Sequence, residues 1–147
     1  MRYEIRKLEE KDLIFFQDLV NLFIRVFETN HKPSADNEQL LSLLKDEKFF
    51  AIAAFDKGRI IGGLSVYKLD QYYSSRPLAY IYDLAVLDEY QRQGIGAALI
   101  NFTRSFCRDA GYEALFVQAE KADAGALDFY RATEATEQEV VHFTYDL

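Results

Sequence analysis

Residues 78–99 read LAYIYDLAVLDEYQRQGIGAAL, and the rest of the chain is interpreted outward from this stretch. Its first half, Leu78 to Leu87, is apolar on both faces of an extended segment, which is typical of a central strand. Its second half opens an amphipathic helix, because apolar residues recur at helical spacing from Ile95 and Leu99 onward. Gly111 predicts the end of that helix, since glycine is common just past a helix C-terminus.

Amphipathic helices and alternating strands are expected on both sides of this stretch. The expected elements, in chain order, are a strand around Tyr3 and Ile5, a helix over about 10–28, a loop over 29–35, a helix that Asp36 and Gln39 begin, strands 49–55 and 59–69 joined by the turn 56–58, strand 78–87, helix 95–110, strand 114–119, helix 123–133 and strand 139–145. The order β-α-α-β-β-β-α-β-α-β combines hairpins with a β-α-β crossover. We therefore expect one α+β domain over residues 1–147, with a mixed central sheet flanked by helices.

Composition and charge narrow the class of protein. The chain has 147 residues, which suits one domain, and a net charge of −7, which argues against a nucleic-acid binder. It contains no apolar run of the roughly 20 residues that span a bilayer and no signal peptide, so we expect a cytoplasmic protein without a membrane partner. One cysteine, Cys107, and two scattered histidines, His31 and His142, supply neither a disulfide nor a zinc site, so no metal is expected.

The turn before the helix is a candidate anion site. Gly94 and Gly96 carry no Cβ atoms, so a ligand can approach the backbone, whose first helical N–H groups have no partner within the helix. These donors and the positive end of the helix dipole favour a phosphate, and Arg92 could add a charged contact. The alternative is an ordinary structural turn, because the pattern lacks both the Gly-Lys-Ser/Thr of a Walker loop and the third glycine of a dinucleotide fingerprint.

Asp83 interrupts the apolar strand and requires an explanation. An unpaired carboxylate buried there would cost several kcal/mol, on the order of the penalty for burying a charge, so something must pair with it or use it. One interpretation is a carboxylate satisfied by a neighbouring arginine or backbone N–H group. The other is a carboxylate with a raised pKa that attracts a substrate ammonium and accepts its proton.

The segment from Glu120 to Glu139 is acidic. It contains two basic residues, Lys121 and Arg131, and six acidic residues: Glu120, Asp123, Asp128, Glu134, Glu137 and Glu139. Each acid can be a solvated surface charge, but together they can steer and hold a polycationic ligand. Glu120 and Asp123 are the first candidates because they follow a strand end, and Glu139 closes the segment. His142 could assist proton removal, or it could be a packed or surface residue.

Gln91 to Gly96 match the pattern Q/R-x-x-G-x-G/A between a central strand and a helix, and in this the sequence resembles the GNAT superfamily of N-acetyltransferases. The expected order of elements fits that fold as well. Five segments are more narrowly similar to the type I aminoglycoside 3-N-acetyltransferases: 50–56, 80–86, 92–95, 117–119 and 142–143.

The resemblance implies a co-substrate and the residues that hold it. Acetyl-CoA would place its pyrophosphate on the backbone N–H groups of the turn, which comprises Gln91, Arg92, Gln93, Gly94, Ile95, Gly96 and Ala97. The pantetheine arm would pair like an extra strand with Leu84, Ala85 and Val86, through backbone hydrogen bonds. By the same resemblance, Asp83 would face the substrate amine.

Tyr130 is the second catalytic candidate that the resemblance implies. In GNAT proteins a tyrosine on this helix lies near the cofactor sulfur and is assigned as the acid that protonates the departing thiolate. The alternative is an aromatic packing residue beside Phe129. Glu134 departs from the family pattern, because the superfamily often has a glycine four residues after this tyrosine.

The implied function is transfer of an acetyl group from acetyl-CoA to an amino group of a polycationic small molecule. The first candidate is the 3-amino group of an aminoglycoside antibiotic, with Asp83, Glu120, Asp123, Glu139 and His142 around the acceptor. Two alternatives remain, acetylation of polyamines or other small amines, and a non-catalytic acyl-CoA-binding regulatory module. Similar enzymes commonly form homodimers, so a second copy of the chain is an expected partner.

Overall fold

The computed structural model describes residues 2–28 and 34–147. Its elements are β1 Glu4–Lys7, α1 Leu13–Val26, α2 Asn37–Lys45, β2 Phe49–Asp56, β3 Arg59–Leu69, β4 Leu78–Val86, α3 Ile95–Asp109, β5 Ala114–Val117 and α4 Ala124–Ala132. Short 3-10 turns precede α1 and follow β4. Most of the loop expected over 29–35 lies outside the described residues. No helix in the described ranges is long and apolar enough to cross a membrane.

The five strands form one mixed sheet in the order β1-β2-β3-β4-β5. The pairs from β1 to β4 are antiparallel, and β4 pairs with β5 in parallel, which confirms the predicted α+β class. Helices α1 and α2 pack on one face of the sheet, against residues such as Phe49 and Ala85. Helix α3 packs on the other face, against residues such as Ile81, and α4 adds partly buried side chains there. We refer to these as the α1–α2 face and the α3–α4 face.

The turn between β2 and β3 and the start of α2 were both correctly predicted from local sequence. Lys57 and Gly58 both have positive φ, 51° and 76°, between the paired residues Asp56 and Arg59. This is the geometry of a tight hairpin turn that matches the twist of its strands. Asp36 accepts a hydrogen bond from the Gln39 N–H group at 2.9 Å and so caps α2.

The strand expected over 139–145 is wrong. Residues 135–147 belong to no helix or strand, and the side chains of Val141 and Phe143 are 76% and 80% exposed. The alternating sequence suits a strand, but a strand forms only against a hydrogen-bonded neighbour, and no described part of this chain pairs with the segment.

The burial expected on both faces of β4 is wrong only in the middle of the strand, because Ala85 and Val86 at its end are buried on opposite faces. Ile81 is buried, but the next residue, Tyr82, is 61% exposed and Asp83 is half-buried. The ladder between β4 and β5 ends where Ile81 pairs with Val117. The second half of β4 therefore keeps its β3 neighbour and has one edge without a strand partner, which leaves room for a ligand.

Candidate active site

A β-bulge in β4 brings Tyr82 and Asp83 to the same face of the sheet. Asp83 pairs with Ser65 on β3 and Ile81 pairs with Val66, so Tyr82 is an extra residue without a partner. Before the bulge, Ile81 packs on the α3–α4 face, and after it Ala85 packs on the α1–α2 face. The insertion therefore shifts the alternation by one residue and directs Asp83 to the α1–α2 face.

Within the described part of the chain, the Asp83 carboxylate has no charged partner. Burial raises the pKa of this carboxyl group above its usual range. Among the described residues, no lysine, arginine or histidine nitrogen lies within 4.0 Å of it. The Asp83 N–H group donates to the Ser65 hydroxyl oxygen at 3.3 Å, which holds the backbone and leaves the carboxylate unused. An arginine-paired carboxylate is thus excluded, and the group is available to a cationic ligand.

Tyr130 on α4 is a phenol that stays protonated at neutral pH. Burial, with a smaller contribution from the negative charges of Asp123 and Asp83, raises its pKa from 10 to about 12. Its ring packs partly against the core of the α3–α4 face. The Asp83 carboxylate on β4 thus lies close enough to affect the Tyr130 phenol on α4 by its charge.

The turn before α3 presents a row of unsatisfied amides. Arg92 and Gly94 both have positive φ, 62° and 83°. The first hydrogen bond into α3 is from Ala98 N–H to the Gly94 carbonyl at 3.0 Å. Within the described chain, the N–H groups of residues 92–97 have no acceptor. Such a series at a helix N-terminus binds anions, so the residues present fit the diphosphate of a coenzyme A.

Two side chains of the turn hold its shape. The Gln91 side-chain amide donates to the Val86 carbonyl at 3.0 Å, and the Gln93 side-chain amide donates to the Glu89 carbonyl at 3.2 Å. Their expected contribution to cofactor binding therefore comes through the backbone, because their side chains brace the turn against the end of β4.

The two glycines of the turn have different reasons to be small. A Cβ atom at Gly96 would lie 2.9 Å from the ring of Phe129 on α4, so the absence of a side chain at Gly96 makes room for that ring. This contact gives Gly96 a packing reason to be small, and the binding of a ligand at its N–H group stays a prediction. A Cβ atom at Gly94 would meet nothing within 4 Å, so Gly94 is the position where a ligand can reach the backbone.

The free edge of β4 offers a short series of backbone groups. The Leu87 N–H group donates to the Ile61 carbonyl on β3 at 2.9 Å. Since backbone groups alternate along an antiparallel strand, those of Ala85 point to β3, and those of Leu84 and Val86 point to the free edge. The expected pairing with a pantetheine arm is therefore open to Leu84 and Val86, and Ala85 serves the sheet.

Of the remaining site candidates, Asp123, Glu139 and His142 have contacts of their own within the chain. Asp123 caps α4 by accepting from the Ala126 N–H group at 3.0 Å. Glu120 is exposed, and Glu139 lies 3.8 Å from Lys121 in an exposed ion pair. His142 is exposed and contacts Thr144 at 3.1 Å. Of this group, only Asp123 acts on the Tyr130 phenol.

The sequence interpretation missed a cluster of aromatic side chains beside Asp83. Four rings form this cluster, which we call the aromatic face: Tyr67, Tyr80, Tyr82 and Phe116. The spacing of Tyr80 and Tyr82 in an apolar strand was interpreted as core. Tyr67, which lies opposite Tyr80 on the neighbouring strand β3, was the one sign in the sequence of an aromatic cluster. The bulge that exposes Tyr82 has no recognisable sequence pattern.

Glu134 adopts the conformation that glycine prefers. Its φ is 69°, just past the end of α4, so the helix ends as a glycine would end it despite the different residue. Because this conformation costs an L-residue about 1 kcal/mol, Glu134→Gly should raise the melting temperature by a few degrees. Glu134→Ala is the control, since it removes the charge and keeps the strain; an equal gain from both variants would contradict this explanation.

Comparisons with known proteins agree with this geometry. The family model described as Acetyltransferase (GNAT) family matches residues 16–133. The crystal structure of aminoglycoside acetyltransferase meta-AAC0020, from an uncultured soil metagenomic sample, in complex with trehalose, has a TM-score of 0.97 and 49% identity over 99% of this chain and 96% of that one. The same protein has also been solved in complex with sisomicin, at 48% identity.

Two further relatives extend the comparison. Aminoglycoside acetyltransferase HMB0005, also from an uncultured soil metagenomic sample, has a TM-score of 0.92 and 30% identity over 100% of this chain and 99% of that one. A Bacillus subtilis (strain 168) protein described as uncharacterized N-acetyltransferase CgeE is 34% identical over 67 residues. That match spans 46% of this chain and 26% of the relative.

Proposed function

The chain belongs to the GNAT family of acetyltransferases, and we propose that it transfers an acetyl group from acetyl-CoA to an amino group of an aminoglycoside, with the 3-amino group as the first candidate. The observation that carries this proposal is the half-buried Asp83 carboxylate, whose pKa is raised by burial and which has no cationic partner among residues 2–28 and 34–147. The relatives described as aminoglycoside acetyltransferases support the class of acceptor.

Each part of the site has a role in this reaction. The amides of residues 92–97 would hold the diphosphate, and the free edge of β4 at Leu84 and Val86 would align the pantetheine arm. Acetyl-CoA would supply the thioester. Asp83 attracts the acceptor ammonium and takes its proton, directly or through water, so that the amine can attack. The Tyr130 hydroxyl group donates a proton to the departing thiolate.

An acceptor panel tests the proposal. Purified protein is incubated with acetyl-CoA and a set of aminoglycosides, polyamines and small monoamines, and thiol release is measured. We expect turnover on aminoglycosides, an acetyl group on the 3-amino position of the product, and a raised inhibitory concentration of the drug for a susceptible bacterium that expresses the protein in its cytoplasm. Turnover on polyamines alone would show that the acceptor is a polyamine and not an aminoglycoside. Binding of coenzyme A without turnover on any amine would favour a regulatory module.

The role of Tyr130 can be separated from its packing. Tyr130→Phe keeps the ring that packs on the α3–α4 face and removes only the hydroxyl group. We expect kcat to fall about 10- to 100-fold, at the lower end of general acid catalysis, with the melting temperature within a degree or two of the wild type. Phe129→Leu, which changes packing beside Gly96, is the comparison. An unchanged kcat in Tyr130→Phe would show that Tyr130 only packs.

We infer that two copies of the chain pair through the C-terminal segment, residues 138–147. Its exposed apolar side chains are Val140, Val141, Phe143, Tyr145 and Leu147. In the described sheet β5 is the last strand, so its outer edge is available for another strand. A groove of about 670 Å³ lies between the end of β5, α4 and this segment. A segment with an alternating sequence and a free strand edge on the same chain are complementary, so two copies can satisfy each other.

Sedimentation analysis tests this pairing. The wild type should sediment as a dimer at micromolar concentration, and Val141→Ser with Phe143→Ser should shift the population to monomer by removing the apolar contacts. Tyr72→Ser, an equally exposed aromatic residue in the β3–β4 connection, should remain dimeric. A monomeric wild type, or a double variant that stays dimeric, would refute the pairing.

A further inference from the structure

The aromatic face forms a row across three strands. Tyr67 on β3 pairs with Tyr80 on β4, and Tyr80 pairs with Phe116 on β5. At the inner end, Tyr67 packs edge-on against the buried Phe49, with 5.2 Å between ring centroids. At the outer end, Tyr82 is 61% and Phe116 is 36% exposed. The row therefore starts in the core under α1 and α2 and ends in solvent.

The outer rings of this row are a stacked pair and a ring perpendicular to it. Tyr80 and Phe116 are stacked nearly parallel, with centroids 4.8 Å apart and an angle of 15° between ring planes, so each ring covers one face of the other. The Tyr80 hydroxyl group donates to the Gln118 side-chain oxygen at 3.0 Å, which fixes the ring. Tyr82 stands nearly perpendicular to Tyr80, at 82° with 6.1 Å between centroids. A saturated ring can pack against the edges of the stacked pair and against the exposed Tyr82 ring.

Negative charge lies beside these rings. Asp83 follows Tyr82 directly and points to the same face of the sheet because of the bulge. Burial raises the pKa of Tyr67 and Tyr80, and the negative charge of Asp83 raises it in the same direction, so the carboxylate acts on these phenols. The phenols consequently stay neutral, and their π faces attract cations.

We propose that the aromatic face binds the acceptor: one amino-sugar ring packs against the edges of Tyr80 and Phe116, and an ammonium group of the same molecule contacts the Tyr82 ring. This placement presents a second amine of the acceptor to Asp83. This inference rests on the proposed function, because it names how that acceptor is recognised. A multivalent cation with saturated rings satisfies both halves of the surface, since its apolar C–H groups contact the stacked pair and its charges contact the Tyr82 π face and the carboxylate.

Variants of Tyr82 separate π contact from bulk. Tyr82→Leu keeps an apolar side chain and removes the ring, whereas Tyr82→Phe keeps the ring and removes the hydroxyl group. With sisomicin as the acceptor, Tyr82→Leu should raise the acceptor KM about 2- to 30-fold, the range of a cation–π contact, and leave the KM of acetyl-CoA unchanged. Tyr82→Phe should resemble the wild type. Tyr72→Leu is the control, because Tyr72 lies in the β3–β4 connection at the opposite end of β4, where its ring contacts Tyr73.

The outcomes distinguish this inference from the function on which it rests. Calorimetric binding of sisomicin without acetyl-CoA is measured alongside turnover, so that affinity is read independently of chemistry. If the wild type neither binds nor acetylates any aminoglycoside, the proposed function fails. If the wild type does both, and Tyr82→Leu leaves the KM and Kd of sisomicin unchanged or weakens acetyl-CoA equally, the aromatic face is not the acceptor site.

Discussion

Asp83→Asn is expected to lower kcat about 100- to 10,000-fold, the range of a lost general base, with little change in the KM of acetyl-CoA. Asparagine matches aspartate in shape but can neither accept the proton of the attacking ammonium nor attract it by charge. The acceptor KM should therefore rise as well. Steady-state kinetics with each substrate varied in turn gives these constants. Asp109→Asn, an exposed carboxylate at the end of α3, is the matched control and should retain wild-type rates.

The pH dependence of the wild type gives a second measurement of the same group. Because burial raises the pKa of Asp83 above 3.8, the carboxylate is protonated at a higher pH than an exposed one, and kcat/KM should fall as the pH drops through that raised value. The fall assigned to Asp83 should be absent from Asp83→Asn. A wild-type kcat in Asp83→Asn, or the same fall of kcat/KM at low pH in that variant, would show that Asp83 is not the base.

Stability separates this loss of activity from misfolding. A carboxyl group whose pKa is raised in the folded state makes folding less favourable above that pKa and more favourable as the pH falls through it. Removing its charge should therefore leave the free energy of unfolding at pH 7 unchanged or raise it. A melting temperature well below the wild type would mean that the kinetic result reports unfolding.

Gly94→Val is expected to raise the KM of acetyl-CoA about tenfold or more. A side chain at a φ of 83° strains the turn by about 1–2 kcal/mol and places its bulk where the structure leaves open space in front of the amides. Tenfold corresponds to about 1.4 kcal/mol, less than the loss of two charge-assisted hydrogen bonds. The KM of acetyl-CoA and the Kd of coenzyme A by calorimetry are both measured.

Gly111→Val is a closely matched control for this substitution. Gly111 has a φ of 84° and, like Gly94, has nothing within 4 Å of a Cβ atom, but it lies after α3 at the opposite end of the helix. Both variants should lose similar stability, and only Gly94→Val should lose affinity for coenzyme A. Equal KM values for acetyl-CoA in the two variants would contradict the assignment of the turn.

Local chemistry explains why most elements could be predicted from sequence. The hairpin over Asp56 to Arg59, the cap at Asp36 and the end of α3 near Gly111 each depend on residues within a few positions of one another. The glycine pair was predictable for the same reason, because a helix N-terminus leaves its first amides unpaired wherever the helix packs.

Features that depend on distant residues could not be predicted in this way. The bulge at Tyr82 reflects how β4 fits against β3, and it alone decides that Asp83 and Tyr82 share a face. The close approach of the Phe129 ring to Gly96 could not be predicted because the two residues are far apart in sequence. The alternation over 139–145 suits a strand but does not show that a partner strand exists, and in the described ranges nothing pairs with the segment.

A crystal structure with coenzyme A and an unreactive aminoglycoside tests the central claim most directly. We predict the diphosphate within hydrogen-bond distance of the N–H groups of residues 92–97, the pantetheine arm along Leu84 and Val86, and an acceptor amine within about 3.2 Å of an Asp83 oxygen, directly or through one water. A diphosphate bound away from this turn, or an acceptor whose amines all lie remote from Asp83, would contradict the account.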